Sequence, residues 1–158
     1  GIGADVRLAP GARLDAVLLV SQWRPGPFVR GDAQCWPIEA PAGRVDPDET
    51  PDAAARRELQ EETGVASGRL IPAGGWYPSP GSTAQFFHTF VAAADLSALM
   101  GRDRLGGLES EGEEIFSRVV PFAEAMDWVD TGRIDCGPAL TLLLWLARRR
   151  DALRAEWG

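Results

Sequence analysis

Three glutamates on one turn of helix define the chemistry open to this chain. Glu58, Glu61 and Glu62 stand at i, i+3 and i+4, a spacing that gathers them within about 100° of one helical face. Like charges so placed repel one another, so the face needs a positive partner. A hard divalent cation with oxygen ligands, Mg²⁺ or Mn²⁺, meets that need. Arg57 lies four residues before Glu61 and is placed to pair with it or with Glu49. A solvated acidic face would account for Arg56-Arg57-Glu58-Leu59-Gln60-Glu61-Glu62 taken alone. Its surroundings go further: Gly43 opens the stretch, Glu49 follows after five residues, Arg57 after seven more, and Gly64 closes it.

The positioning element is a helix from Pro51 to about Glu62. Thr50 is a good N-cap, and Pro51 suits the first helical position, where its missing N–H costs nothing. Asp52 adds negative charge at the positive end of the helix dipole. Gly64 is the natural stop. Ala54 and Ala55, at the edges of the acidic face, leave room for a loop to approach.

Gly43, Glu49, Arg57, Glu58, Leu59, Glu61, Glu62, Gly64 and Val65 fill every specified position of G-x5-E-x7-R-E-U-x-E-E-x-G-U, with U apolar. In this the chain resembles the Nudix hydrolases, which cleave a nucleoside diphosphate linked to another group with the help of Mg²⁺ or Mn²⁺. The resemblance implies an α/β/α sandwich, a mixed sheet between helices. It also implies that Glu58, Glu61, Glu62 and the Ala42 carbonyl are metal ligands, with Arg57, Glu61 and Glu62 in the catalytic machinery.

A second acidic cluster, Glu109-Ser110-Glu111-Gly112-Glu113-Glu114, closes a glycine-containing stretch. Alone it reads as a solvated tip. Attack on phosphorus, however, needs a base for the water and a complete metal cage. The stretch resembles the catalytic loop of bacterial ADP-ribose pyrophosphatases, which implies Glu111 as the base and Glu113 as a metal ligand. Pro80 lies fifteen residues beyond Val65, and Ser79-Pro80-Gly81 resembles the loop that lies by the distal sugar in that subfamily. Gln85 stands where the subfamily often has a glutamate. Gln22-Trp23-Arg24 also resembles the subfamily, which implies that Arg24 contacts the nucleotide; Trp23 beside it reads either as a stacking partner for a base or as a core residue at a strand end. His88, the one histidine, has no Ser or Cys partner in view and reads as structural.

With 158 residues, 45% of them hydrophobic and 25% charged, the chain reads as one soluble Nudix domain over residues 1–158. The strand-rich N-terminal segment of its relatives is expected to be missing. A net charge of −7 argues against an electrostatically driven nucleic-acid binder. Cys35 and Cys136 are too few for a disulfide framework. Without a leader or spanning segment in view, the expectation is a cytoplasmic protein with no membrane partner. The relatives imply a homodimer.

Ala16 to Val20 reads as a buried strand, continued by Ser21 to Arg24 and ended by Pro25-Gly26-Pro27. Trp36 to Ala42 reads as an extended entry to Gly43. Leu70-Ile71 and Gly74 to Tyr77 form a strand interrupted at Pro72. Tyr77 to Ser82 is a loop, Gln85 to Ala92 a strand, and Gly101 to Gly112 a long loop. Ile115 to Val120 is a strand, and Phe122 to Val129 a short helix. Pro138 to Trp157 is a last helix whose core stripe is Leu140, Leu143, Leu144 and Ala147.

Together these readings point to Mg²⁺-dependent hydrolysis of a nucleotide sugar, ADP-ribose to AMP and ribose 5-phosphate. A GDP-sugar is the nearest rival, with the same chemistry. Two rivals stand further off: a non-catalytic ADP-ribose sensor and a triphosphate-cleaving enzyme. The intact box argues against the sensor, and Pro80 with its loop against the triphosphate enzyme.

Overall fold

The computed structural model describes residues 2–6, 15–108 and 112–157, the segments 2–6 and Trp157 by backbone alone. Among the described residues seven strands form one mixed sheet: β1 (Ile2–Val6), β2 (Ala16–Ser21), β3 (Ile38–Glu39), β4 (Leu70–Trp76), β5 (Phe87–Ala94), β6 (Arg104–Gly106) and β7 (Ile115–Pro121). The order is β4-β5-β1-β2-β7-β6, with β3 also paired to β2. The β1–β5 pairing is parallel and the others are antiparallel.

Alternation along β2 explains the layers. Its run is apolar from Ala16 to Val20 because both faces are covered. Ala16 and Leu18 join Ala55, Leu59 and Val65 of the α2 region (α2, Pro51–Thr63) in one core. Val17 and Leu19 join α3 (Phe122–Asp130) and α4 (Gly137–Trp157) in the other. Helices on both faces of a mixed sheet make the expected α/β/α sandwich.

Three local readings need correction. Pro25-Gly26-Pro27 does not merely end a strand: it begins a short helix, α1 (Pro25–Arg30), closed by Gly31 at φ 84°. Pro at the start and a left-handed glycine at the stop are the same signals that frame α2. Strand β2 accordingly ends at Ser21. The stretch 101–112 is not all loop, because Arg104–Gly106 pairs with β7. Three residues carry too little pattern to announce a strand.

The stripe on α4 is also displaced. Ala139, Leu142, Leu143, Leu146 and Leu153 are buried, whereas Leu144 is 49% exposed, Ala147 is exposed and Leu140 is half-buried. Both stripes have helical spacing, and packing against the sheet and α3 selects the one that is buried. The bend expected at Pro72 is real, as a register shift between Pro72 and Gly74.

Candidate active site

Helix α2 is built as its sequence dictates. The Thr50 hydroxyl accepts the Ala53 N–H at 3.4 Å, and Gly64 takes φ 68° at the other end. Leu59, the one apolar residue in its Arg-Glu-Leu-Gln-Glu-Glu run, is fully buried and turns the helix so that its carboxylates face the Gly43 loop. Arg57 is the hub of that surface. Its guanidinium donates to both oxygens of Glu49, each at 3.0 Å, to Glu58 at 2.8 Å and to Glu61 at 3.0 Å. It also donates to the Arg44 carbonyl at 2.9 Å. Loop and helix are thus tied through one side chain whose acidic partners strongly favour its charge.

Glu62 lies at the centre, only 3% exposed, and accepts the Ala42 N–H at 3.2 Å. Burial, with repulsion from Glu58 and Glu113, pushes its carboxyl up to about 8. Burial also raises Glu58. The electrostatic effect of Glu113 on both glutamates brings a second element into the site, as the Glu113 carboxylate accepts the Leu108 N–H at 3.3 Å. Glu109 and Glu111 lie outside the described residues.

Two glycines make this convergence possible. A Cβ at Gly43 would overlap the Glu58 carboxylate, and one at Gly106 would overlap the Glu62 carbonyl oxygen. The first lets the loop lie on the acidic face. The second lets β6 close against the end of α2. Among the described residues no three acidic side chains converge at ligand spacing, and Glu58 and Glu61 are turned to Arg57. The donor chemistry nevertheless fits a hard cation. Glu58, Glu62 and Glu113, whose charges act on one another, are all oxygen donors, and Glu62 is held where its ionised form needs a positive neighbour.

Two clefts flank this centre. One is lined by Ala42, Gly43, Arg44, Glu58, Gln85, Phe86 and His88. The other is lined by Gln22, Trp23, Trp36, Gly106, Glu113 and Glu114. Gln85 therefore shares a cleft with Glu58, and Trp23 shares one with Glu113. Arg24 donates to Glu39 through two bonds of 2.7 and 3.0 Å, and its charge acts on Glu62. Ser79, Pro80 and Gly81 sit on an exposed turn, where the Ser79 carbonyl accepts the N–H groups of Ser82 and Thr83. They line neither cleft.

Glu39, Trp36, Arg44 and Phe86 are neighbours of the site that sequence reading did not single out. Glu39 had a signal, its place just before the Gly43 loop. Phe86 and Arg44 had none, because an exposed aromatic and a loop arginine carry no spacing of their own.

The chain is similar to known proteins over most of its length. The profile of the NUDIX domain matches residues 5–138. The ADP-ribose pyrophosphatase of Escherichia coli (strain K12) is 32% identical over 144 residues, 91% of this chain and 67% of that protein. The ADP-ribose pyrophosphatase of Haemophilus influenzae is 31% identical over 98% of the chain and 70% of its own length. The GDP-mannose pyrophosphatase of Escherichia coli O1:K1 is 34% identical over 92% of the chain and 73% of its own length.

Proposed function

This chain belongs to the Nudix family, and from that premise we propose that it hydrolyses the diphosphate bond of a nucleotide sugar, ADP-ribose by preference. The observation that supports the reading is the acidic face of α2, with Glu62 buried at its centre against the Ala42 N–H and Glu58 and Glu113 close enough for their charges to act on it, beside two clefts. Each of the two clefts carries one of these carboxylates, Glu58 in one and Glu113 in the other.

In this reading Glu58, Glu61, Glu62, Glu113 and the Ala42 carbonyl would hold Mg²⁺ or Mn²⁺. The bound cation would supply charge neutralisation on the diphosphate and a more acidic water. Arg57 fixes the carboxylates, holding Glu58 and Glu61 in register with the loop. Glu111 takes a proton from the attacking water. Trp23, Arg24 and Gln85 orient the nucleotide and the sugar, and Ser79, Pro80 and Gly81 lie by the distal sugar, as the likeness of their loop to the subfamily's implies. GDP-mannose is a second reading, favoured by a relative of that name at similar identity. The domain spans residues 1–158 and acts as a cytoplasmic homodimer. Among the described residues no helix is long and apolar enough to cross a membrane.

The test is a panel of ADP-ribose, GDP-mannose and nucleoside triphosphates assayed with Mg²⁺, with products separated by chromatography. ADP-ribose should give AMP and ribose 5-phosphate, and EDTA should abolish turnover until Mg²⁺ or Mn²⁺ is restored. Full activity in chelator, or a higher kcat/KM on a triphosphate, would overturn the assignment.

A further inference from the structure

Arg24 lies close enough to Glu62 for its charge to act on that buried carboxylate, and it is held there twice over. Its backbone is fixed just past the end of β2. The Arg24 N–H donates to the Cys35 carbonyl at 2.9 Å, and α1 begins at the next residue with Pro25. Its side chain is fixed by Glu39, which β3 sets opposite Val20 of β2. Nε donates to one carboxylate oxygen at 2.7 Å and Nη2 to the other at 3.0 Å. A two-point pair of this kind fixes the plane of the guanidinium as well as its position. The Glu39 side chain is 13% exposed and that of Arg24 38%, so the acid is the more covered partner and the cation reaches solvent. Glu39 is held in turn by the Cys136 thiol, just ahead of α4, which donates at 3.9 Å to the oxygen that Nη2 also uses. A guanidinium has five N–H groups. Glu39 takes two of them and leaves three.

We propose that Glu39 is a positioning residue for the reaction: it orders the Arg24 guanidinium before the nucleotide arrives and leaves three of its N–H groups to donate to nucleotide oxygens. The inference rests on the hydrolase reading above, in which Arg24 orients the nucleotide, and it names the group behind that arginine. Glu39 touches no reacting atom in this role. An arginine stem has many rotamers, and ordering it only when the ligand binds weakens the binding. Glu39 removes that loss for the bound substrate and for the transition state alike, so its absence is felt in KM and not in kcat. Glutamine in its place offers one carbonyl oxygen and turns an amide NH₂ toward the second donor, so the two-point grip is lost.

The test is steady-state kinetics on ADP-ribose with Mg²⁺. Glu39→Gln should raise KM about fivefold to tenfold, the scale of ordering one long side chain on binding, with kcat within about twofold of native. Arg24→Ala should raise KM at least as much, and Glu39→Gln added to it should change KM no further, because Glu39 acts through the arginine. A role confined to the stability of β3 would lower the melting temperature and leave KM alone. Native KM in Glu39→Gln, or an effect that persists undiminished without Arg24, would overturn the inference and leave the nucleotide-sugar reading standing. The native chain gives a second measurement that depends on no variant. Its Arg24 Nε–H should be visible by proton–nitrogen NMR before any nucleotide is added, because Glu39 shields it from exchange with water, and its absence would overturn the inference. If the native chain cleaves neither ADP-ribose nor GDP-mannose, the hydrolase reading fails by itself. AMP affinity by calorimetry then takes the place of KM, with the same loss expected in Glu39→Gln, and a native chain that does not bind AMP would overturn both.

Discussion

At the scale of single residues, the site works by forcing acidic groups together and dividing labour among them. A base acts on the proton that moves in the transition state, whereas a ligand acts through the cation, so their losses differ in kind. Glu111→Gln should lower kcat about 10²–10⁴-fold, with the Mg²⁺ requirement unchanged. Glu113→Gln should be partly rescued by excess Mg²⁺. Glu62→Gln should be worse than either, because Glu62 is the buried centre of the group. Titrating kcat against Mg²⁺ for the three variants separates these outcomes; near-native kcat in Glu111→Gln would move the base elsewhere. Gly43→Ala tests the approach of the loop. The atoms a Cβ would meet belong to the end of the Glu58 side chain, which can swing away. Its melting temperature should therefore hold while kcat falls at least tenfold. Cys136 gives a check that is independent of turnover. Burial pushes its thiol up to about 11, so at pH 8 the reactive thiolate is scarce in the folded chain. Iodoacetamide should modify it about a hundredfold more slowly than in urea-unfolded protein, as peptide mass mapping would show.

At the scale of elements, α2 carries the site and β6 seals it. Gly106→Ala cannot be relieved by a side chain moving, because its Cβ would meet the backbone carbonyl of Glu62. The variant should lose about 1–3 kcal/mol in urea denaturation, in contrast with the mild cost at Gly43. These two elements differ in how far they could be read in advance. Helix α2 has a cap at Thr50, Pro51 behind it, a glycine stop and spaced carboxylates, and every signal points the same way. Strand β6 exists because β7 offers it a partner, with Leu105 opposite Phe116, and no local pattern records a distant neighbour. Helix α1 is an intermediate case. Its Pro25 and Gly31 were legible as helix punctuation, but six residues with none buried show no periodicity. The acidic face of α2 was legible in its spacing, while Glu113 entered only through the likeness of its stretch to a known loop. The aromatic neighbours were not legible, since Phe86 and Trp36 come to the clefts through sheet register and loop path.

At the scale of the whole molecule, α1 leaves Phe28 63% and Val29 83% exposed, next to the half-exposed Trp23. Such a patch suits a homodimer contact, and light scattering should give twice the mass of the chain. Phe28→Asp should shift it to the monomer, and a native chain that scatters with the mass of a monomer would overturn the proposed dimer. The sheet itself has an unusual seam. β1 lies between β5 and β2, and on the β4-β5-β1-β2-β7-β6 path it alone joins the β4–β5 pair to the rest. Its antiparallel partner β2 is near in the chain, with Ala4 opposite Leu18, but its parallel partner β5 is far, with Ile2 opposite Phe90 and Val6 opposite Ala94. Contacts between such distant residues form late, because a long loop must close before any pairing repays it. Among the described strands β1 comes first in the chain, yet its edge toward β5 stays open until the chain as far as Ala94 has been made and folded back onto it.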